Sequence, residues 1–183
     1  VNFWKNTATH EAINYLINTK KVMVGGTSAG LAILGSAYYS AQFESATSTE
    51  TLTDPYTKNV TLGDHDFLST PFLVNTITDS HYTQRDRQGR HICFMARIMK
   101  DFGATTIKGI GIDEKTALCI DDKGMGKVYG TNKVYFFKNS GQGPENCTPG
   151  KALNWNRAGT ALQAYIIAGT ETGNGKFNAL RWS

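Results

Sequence analysis

The sequence has no apolar run of 18 residues or more. A membrane-spanning helix needs one, so no membrane partner is expected. Charge is sparse: charged residues make up 19%, the net charge is +4, and the lysines are scattered. Nucleic-acid binding calls for Lys and Arg gathered on one face or along one helix, so none is expected. There are three cysteines, Cys93, Cys119 and Cys147. An odd number at wide spacing fits no zinc or redox pattern. Cys93 and Cys119 lie in apolar runs and are expected as buried thiols. Cys147 lies in a polar stretch with Gly and Pro and is expected exposed or paired. Internal repeats, heptads and low-complexity blocks are absent. No signal peptide is in view and residue 1 is Val, so a preceding segment is expected.

What remains is 40% hydrophobic over 183 residues, which suits one folded domain. Residues 7–19 place Ala8, Ala12, Ile13, Leu16 and Ile17 at helical spacing, with Lys20 and Lys21 in the last turn. Residues 22–24 form a short β-branched run that predicts a buried strand. GGTSAG follows, and LAILGSAYYSA predicts a helix of about ten residues. Helix, strand, tight glycine turn and helix is the order of an α/β fold with a parallel sheet. Residues 44–66 are polar and predict a loop or hairpin. Residues 72–78 predict a second strand, and HICFMARIMKDF an amphipathic helix capped at Gly103. KGIGID predicts a strand. TALCID and KVYGTNKVYFFK alternate as antiparallel strands do, with Gly124 and Gly126 at a turn between them. LQAYIIAG predicts an edge strand.

Gly26-Thr27-Ser28-Ala29-Gly30 matches G-x-S-x-G between a predicted strand and a predicted helix, the setting of a nucleophile turn. Small neighbours let the backbone pass close to itself. The Ala29 N–H, at the helix start, can face a developing oxyanion. No Lys-Ser/Thr pair follows the glycines, which disfavours a P-loop. A serine hydroxyl needs a positioned base, and four histidines are available. His10 reads as a surface residue of the first helix. His65, between Asp64 and Asp66, reads as solvated loop polarity. His91 reads as a capping or surface group. His81 follows the apolar strand at its C-terminal end, where α/β sheets bind ligands. Asp79 precedes it, and Arg85, Arg87 and Arg90 follow. Guanidinium groups hold carboxylates by paired hydrogen bonds, so the cluster suggests an anionic substrate.

GGTSAG at 25–30, DSHYTQRDRQGR at 79–90 and GIGIDEKTAL at 109–118 resemble the signature stretches of the cyanophycinase and peptidase E family of serine peptidases. The resemblance covers roughly residues 1–137. It implies a flavodoxin-like α/β three-layer sandwich with a mainly parallel sheet, related to class I glutamine amidotransferases, with antiparallel C-terminal strands. It implies a single catalytic domain over 1–183 that lacks the family's first strands, with 139–183 as a C-terminal extension packed on it. Ser28 would be the nucleophile and His81 the base. The acid would be Glu44, sixteen residues past Ser28, with Asp54, Asp64 and Asp66 as rivals. Ala29 and Gly26 would serve the oxyanion, with a further donor upstream of Val1. Thr27, Asp79, Ser80, Arg85, Arg87 and Arg90 would line the substrate pocket. Ser80 departs from the family's usual Gln.

The implied substrate is cyanophycin, a poly-aspartate carrying arginine on each side chain, and the product is the β-aspartyl-arginine dipeptide. Alternatives are an aspartyl dipeptidase or a non-catalytic binding homologue. No cofactor or metal is implied. A homodimer and a companion N-terminal segment or chain are expected partners, and the composition leans toward a secreted or periplasmic protein.

Overall fold

The computed structural model describes residues 1–183. Helix α1 (Ala8–Asn18) starts at Thr7, whose hydroxyl accepts the His10 N–H. That bond satisfies one of the unpaired donors of a helix start. Ile17 is buried, and Ile13 packs beside Tyr38, Phe67 and Leu68. Residues 22–26 form no helix or strand and pair with no strand, in contrast to the expectation for 22–24. Apolar β-branched residues favour an extended chain, but a strand also needs a partner for its backbone. Here none is present, and Val22 and Met23 are exposed.

Helix α2 (Ala29–Ala32) has four residues instead of about ten. Gly35 accounts for the early stop. A Cβ there would lie 2.1 Å from the Thr76 carbonyl oxygen. The chain therefore lies flat against a neighbouring strand and becomes β1 (Ala37–Tyr39), all of it buried. The polar stretch 44–66 holds α3 (Ser48–Thr53), with a Thr47–Glu50 capping box, and β2 (Leu62–Asp64). Strand β3 (Thr76–Ser80) begins later than expected, because Phe72 and Asn75 take positive φ and break the extended run. Helix α4 (Gln88–Phe102) ends at Gly103 with φ 71°, as expected.

Six more strands follow: β4 (Lys108–Ile112), β5 (Thr116–Ile120), β6 (Met125–Gly130), β7 (Lys133–Asn139), β8 (Leu162–Ala168) and β9 (Asn174–Asn178). The large sheet has the order β2-β1-β3-β4-β7-β8. Its centre, β1, β3 and β4, is parallel, and β2, β7 and β8 run antiparallel to their neighbours. The small sheet β5-β6-β9 is antiparallel. The fold is α/β with a mixed six-stranded sheet and a second antiparallel one. Strands β6 and β7 are consecutive but belong to different sheets. β8 is an edge strand, and the segment 139–183 adds one strand to each sheet.

Side chains alternate along β4 as a strand requires. Gly109 and Gly111 face α4, where Ile77, Phe94, Met95, Ile98 and Ile107 form one core. Ile110 and Ile112 face the small sheet, where Val128, Val134, Phe136 and Phe177 form the other. The chain thus layers a helix, a large sheet and a small sheet, and the C-terminal ends of β3 and β4 emerge side by side.

Candidate active site

Ser28 sits between the unpaired segment 22–26 and α2 with φ 51° and ψ −119°. That is a strained conformation for any residue but glycine. The turn closes because Gly26 has no side chain: a Cβ there would lie 2.4 Å from the Gly30 carbonyl group. Ser28 makes no capping bond to its own helix, so its hydroxyl is not tied up by the backbone of α2. The N–H groups of Gly26 and Ala29 make no hydrogen bond either. Thr27 is exposed. The Thr78 hydroxyl donates to the Leu31 carbonyl at 2.6 Å and ties α2 to β3.

His81 follows the last residue of β3, with φ 49°. Its Nε2 lies 3.0 Å from Ser28 Oγ. Its Nδ1 lies 2.7 Å from Glu114 Oε1. Glu114 follows β4 at the same sheet edge, where Ser80 and Ile112 are register partners. With the carboxylate ionised, Nδ1 donates to it, and the Nε2 lone pair faces the serine hydroxyl. Several bonds hold the two loops together. Asp113 Oδ1 accepts from the Thr83 N–H at 2.9 Å and the Thr83 hydroxyl at 2.7 Å. The Gln84 side-chain oxygen accepts the Glu114 N–H at 3.0 Å. The Asn132 amide donates to the Glu114 carbonyl at 2.8 Å.

Glu44 is corrected on this geometry. Its side chain is exposed and unbonded, and only its carbonyl is used, by the Tyr39 hydroxyl. The acid on His81 comes from the neighbouring parallel strand, not from the segment nearest Ser28 in sequence. The rivals are engaged elsewhere. Asp54 accepts from the N–H groups of Tyr56 and Gly150, Asp64 pairs with His65, and Asp66 pairs with Lys5 and Tyr38. The signal for Glu114 was an acid directly after a strand, the same rule that selected His81.

The residues expected in the substrate pocket separate. Asp79, Ser80 and Arg90 are buried. Asp79 takes Arg90 through both oxygens, at 2.8 and 2.6 Å. Arg87 donates to the Ser80 carbonyl at 3.0 Å. Arg85 alone of the three arginines is exposed and has no partner. His91 is fully buried instead of capping α4, between the Tyr82 hydroxyl at 3.0 Å and the Ile77 carbonyl at 3.2 Å. The glycines of β4 make room for this pair: Gly109 faces His91 and Gly111 faces the Tyr82 ring. His10 is half-buried and bonds the Phe67 carbonyl.

Of the cysteines, Cys93 is buried as expected, Cys119 is exposed, and Cys147 is a buried free thiol. Cys119 sits on the outward face of an alternating strand, which its apolar neighbours concealed. Burial pushes the Cys93 thiol up to about 12 and the Cys147 thiol up to about 11. Neither is a nucleophile at neutral pH. A scan against protein-family models finds no match, and a search of curated proteins finds none.

Proposed function

We propose that the chain is a serine hydrolase of the cyanophycinase type, cleaving cyanophycin to β-aspartyl-arginine dipeptides through an acyl-enzyme. The observation that carries this reading is the hydrogen-bonded line from Ser28 through His81 to Glu114, with Ser28 on a strained turn. Ser28 Oγ attacks the scissile carbonyl while His81 Nε2 takes its proton. Glu114 keeps Nδ1 protonated and stabilises the imidazolium. The free N–H groups of Ala29 and Gly26 face the oxyanion. His81 then gives its proton to the leaving amine, and water, deprotonated by His81, releases the acyl group. The unpartnered guanidinium of Arg85 suits a free carboxylate on the substrate, and cyanophycin offers one at every arginine.

The family resemblance supplies the finer assignments. These are a flavodoxin-like sandwich akin to class I glutamine amidotransferases, a homodimer, and a companion segment that pairs with residues 22–26 and adds an oxyanion donor. The exposure of Val22 and Met23 supports the companion segment.

Incubation with purified cyanophycin and identification of the soluble products is the test, with release of β-aspartyl-arginine expected. Ser28→Ala should lower kcat by roughly 10⁴-fold, by analogy with other triads. Hydrolysis of short Asp-X peptides without polymer cleavage would make the chain an aspartyl dipeptidase. Failure of a fluorophosphonate to label Ser28 would leave only a binding homologue.

A further inference from the structure

We infer that the buried Asp79–Arg90 pair, together with Arg87, is a positioning device for His81 and forms no part of the substrate pocket. The inference rests on the serine-hydrolase reading above. Accessibility points to it first. The side chains of Asp79 and Arg90 are 3% and 4% exposed. Arg90 spends its donors inside the protein. Nε and Nη2 go to Asp79, and Nη1 goes to Ser45 Oγ at 3.0 Å and to the Ala46 carbonyl at 3.1 Å. Its guanidinium lies over the Tyr39 and Phe94 rings, at 5.2 and 5.7 Å. Little is left for a substrate carboxylate to bind.

What the cluster does hold is the residue before His81. Asp79 Oδ1 accepts the Ser80 N–H at 2.9 Å. Arg87 Nη1 donates to the Ser80 carbonyl at 3.0 Å and reaches Asp79 Oδ1 at 3.4 Å. Both backbone groups of Ser80 are therefore fixed by the ionic cluster. The Ser80 carbonyl belongs to the peptide that enters His81, and His81 has φ 49°. A non-glycine residue persists in that region only where its surroundings over-determine it. Arg87 pins the peptide plane, and the Asp79–Arg90 pair anchors the strand end to α4 and to the loop at Ser45. A buried ion pair adds little net stability over an apolar replacement of the same shape. Its value here lies in setting the direction of the imidazole between Ser28 and Glu114. Displacement of a reacting group by about 1 Å costs on the order of 10²-fold in rate.

The test compares the wild type with Asp79→Asn, Arg87→Met and Arg87→Lys, each checked for folding by thermal denaturation. The first readout is the rate at which a small uncharged fluorophosphonate labels Ser28. Such a probe carries no carboxylate, so loss of a substrate contact would not slow it. The others are kcat and KM on cyanophycin, whose free carboxylates the cluster would bind if it lined the pocket, and the downfield His81 Nδ1 proton resonance. Asp79→Asn is expected to slow labelling by tenfold or more, by roughly the displacement cost above. Arg87→Met should slow it several-fold and Arg87→Lys should restore most of the rate. kcat should fall in step with labelling while KM changes little, and the Nδ1 resonance should broaden or vanish. Unchanged labelling with a raised KM would assign the cluster to the substrate and overturn the inference, as would no change at all. If Asp79→Asn does not fold, the half-buried Arg87 decides through its two variants. A wild type that is not labelled at Ser28 removes the hydrolase reading instead, and the Nδ1 resonance then still decides the positioning claim.

Discussion

Glu114 meets His81 with a carboxylate whose side chain is 41% exposed. Solvent screens much of its charge, so its main effect is to select the imidazole tautomer and its direction. Replacing it with Gln keeps the shape and lets an amide N–H face Nδ1, which reverses the tautomer. Glu114→Gln is expected to lower kcat on the order of 10³-fold, somewhat less than for a buried triad acid. Glu44→Gln should leave kcat unchanged. Steady-state rates of the two variants, side by side, decide between the carboxylates. Glu44 was expected because the family resemblance places an acid in the segment after the nucleophile helix, and a match along the chain says nothing of which strands lie adjacent. The charge run after His81 was legible as a cluster. Its division into a buried pair, a backbone clamp and one free arginine was not, because composition cannot tell a paired guanidinium from an unpaired one.

At the scale of elements, β4 owes Gly109 to His91 and Met95 of α4 and Gly111 to Tyr82 in the loop after β3. A Cβ on Gly111 would lie 2.5 Å from Tyr82 ring carbons. Tyr82 follows His81 and its N–H donates to the Ile112 carbonyl at 3.2 Å, so pushing its ring away moves the base. Gly111→Ala is expected to cost about 1–3 kcal/mol, the usual range for overpacking, and to lower kcat more than it raises KM. Urea denaturation with steady-state kinetics measures both. Tyr82 also donates to His91 Nδ1, while His91 Nε2–H donates to the Ile77 carbonyl, an arrangement that only a neutral imidazole can make. Burial holds the His91 pKa below its ordinary value, with Asp79 and the Ile77 carbonyl opposing and Arg90 assisting. An unfolded histidine takes up its proton near pH 6.5. As pH falls below that value the unfolded chain binds a proton that folded His91 refuses. Stability should therefore decline by at most about 1.4 kcal/mol per pH unit from this group, until the folded pKa is passed. Urea midpoints should be lower at pH 5.5 than at pH 7.5, and His91→Gln should flatten that difference. The helix of α4 and its glycine cap were legible in the 3.6-residue spacing and in Gly103. The strand expected at 22–24 and the long helix after Ser28 were not, because pairing partners and the close approach at Gly35 belong to neighbours far along the chain.

For the whole molecule, the sequence showed an α/β order and an edge strand at LQAYIIAG, but the tail from 139 onward looked like an addition to a finished domain. The topology makes it structural. Strand β8 pairs along the full length of β7, from Lys133 with Ala168 to Asn139 with Leu162. Strand β9 pairs with β6 in the small sheet. Phe177 stacks on Phe136 at 3.9 Å between ring centroids and, with Ile167, completes the core between the sheets. Removing the chain after residue 160 would strip one of the two partners from β7 and from β6 and open Phe136, Val128 and Val134 to water. Each large side chain so exposed forfeits about 1.5–3 kcal/mol, against a total stability of only about 5–15 kcal/mol for a domain. The unpaired edge of β7 would also be a template for aggregation. The full chain is therefore expected to unfold in one cooperative transition, with far-UV circular dichroism and tryptophan fluorescence, to which Trp182 at the second core contributes, changing together. A chain cut after residue 160 is expected to be insoluble or to lack a transition. A truncated chain that melts cooperatively near the temperature of the full one would make the tail a separate extension, and the second core would not be the one described by Phe136 and Phe177.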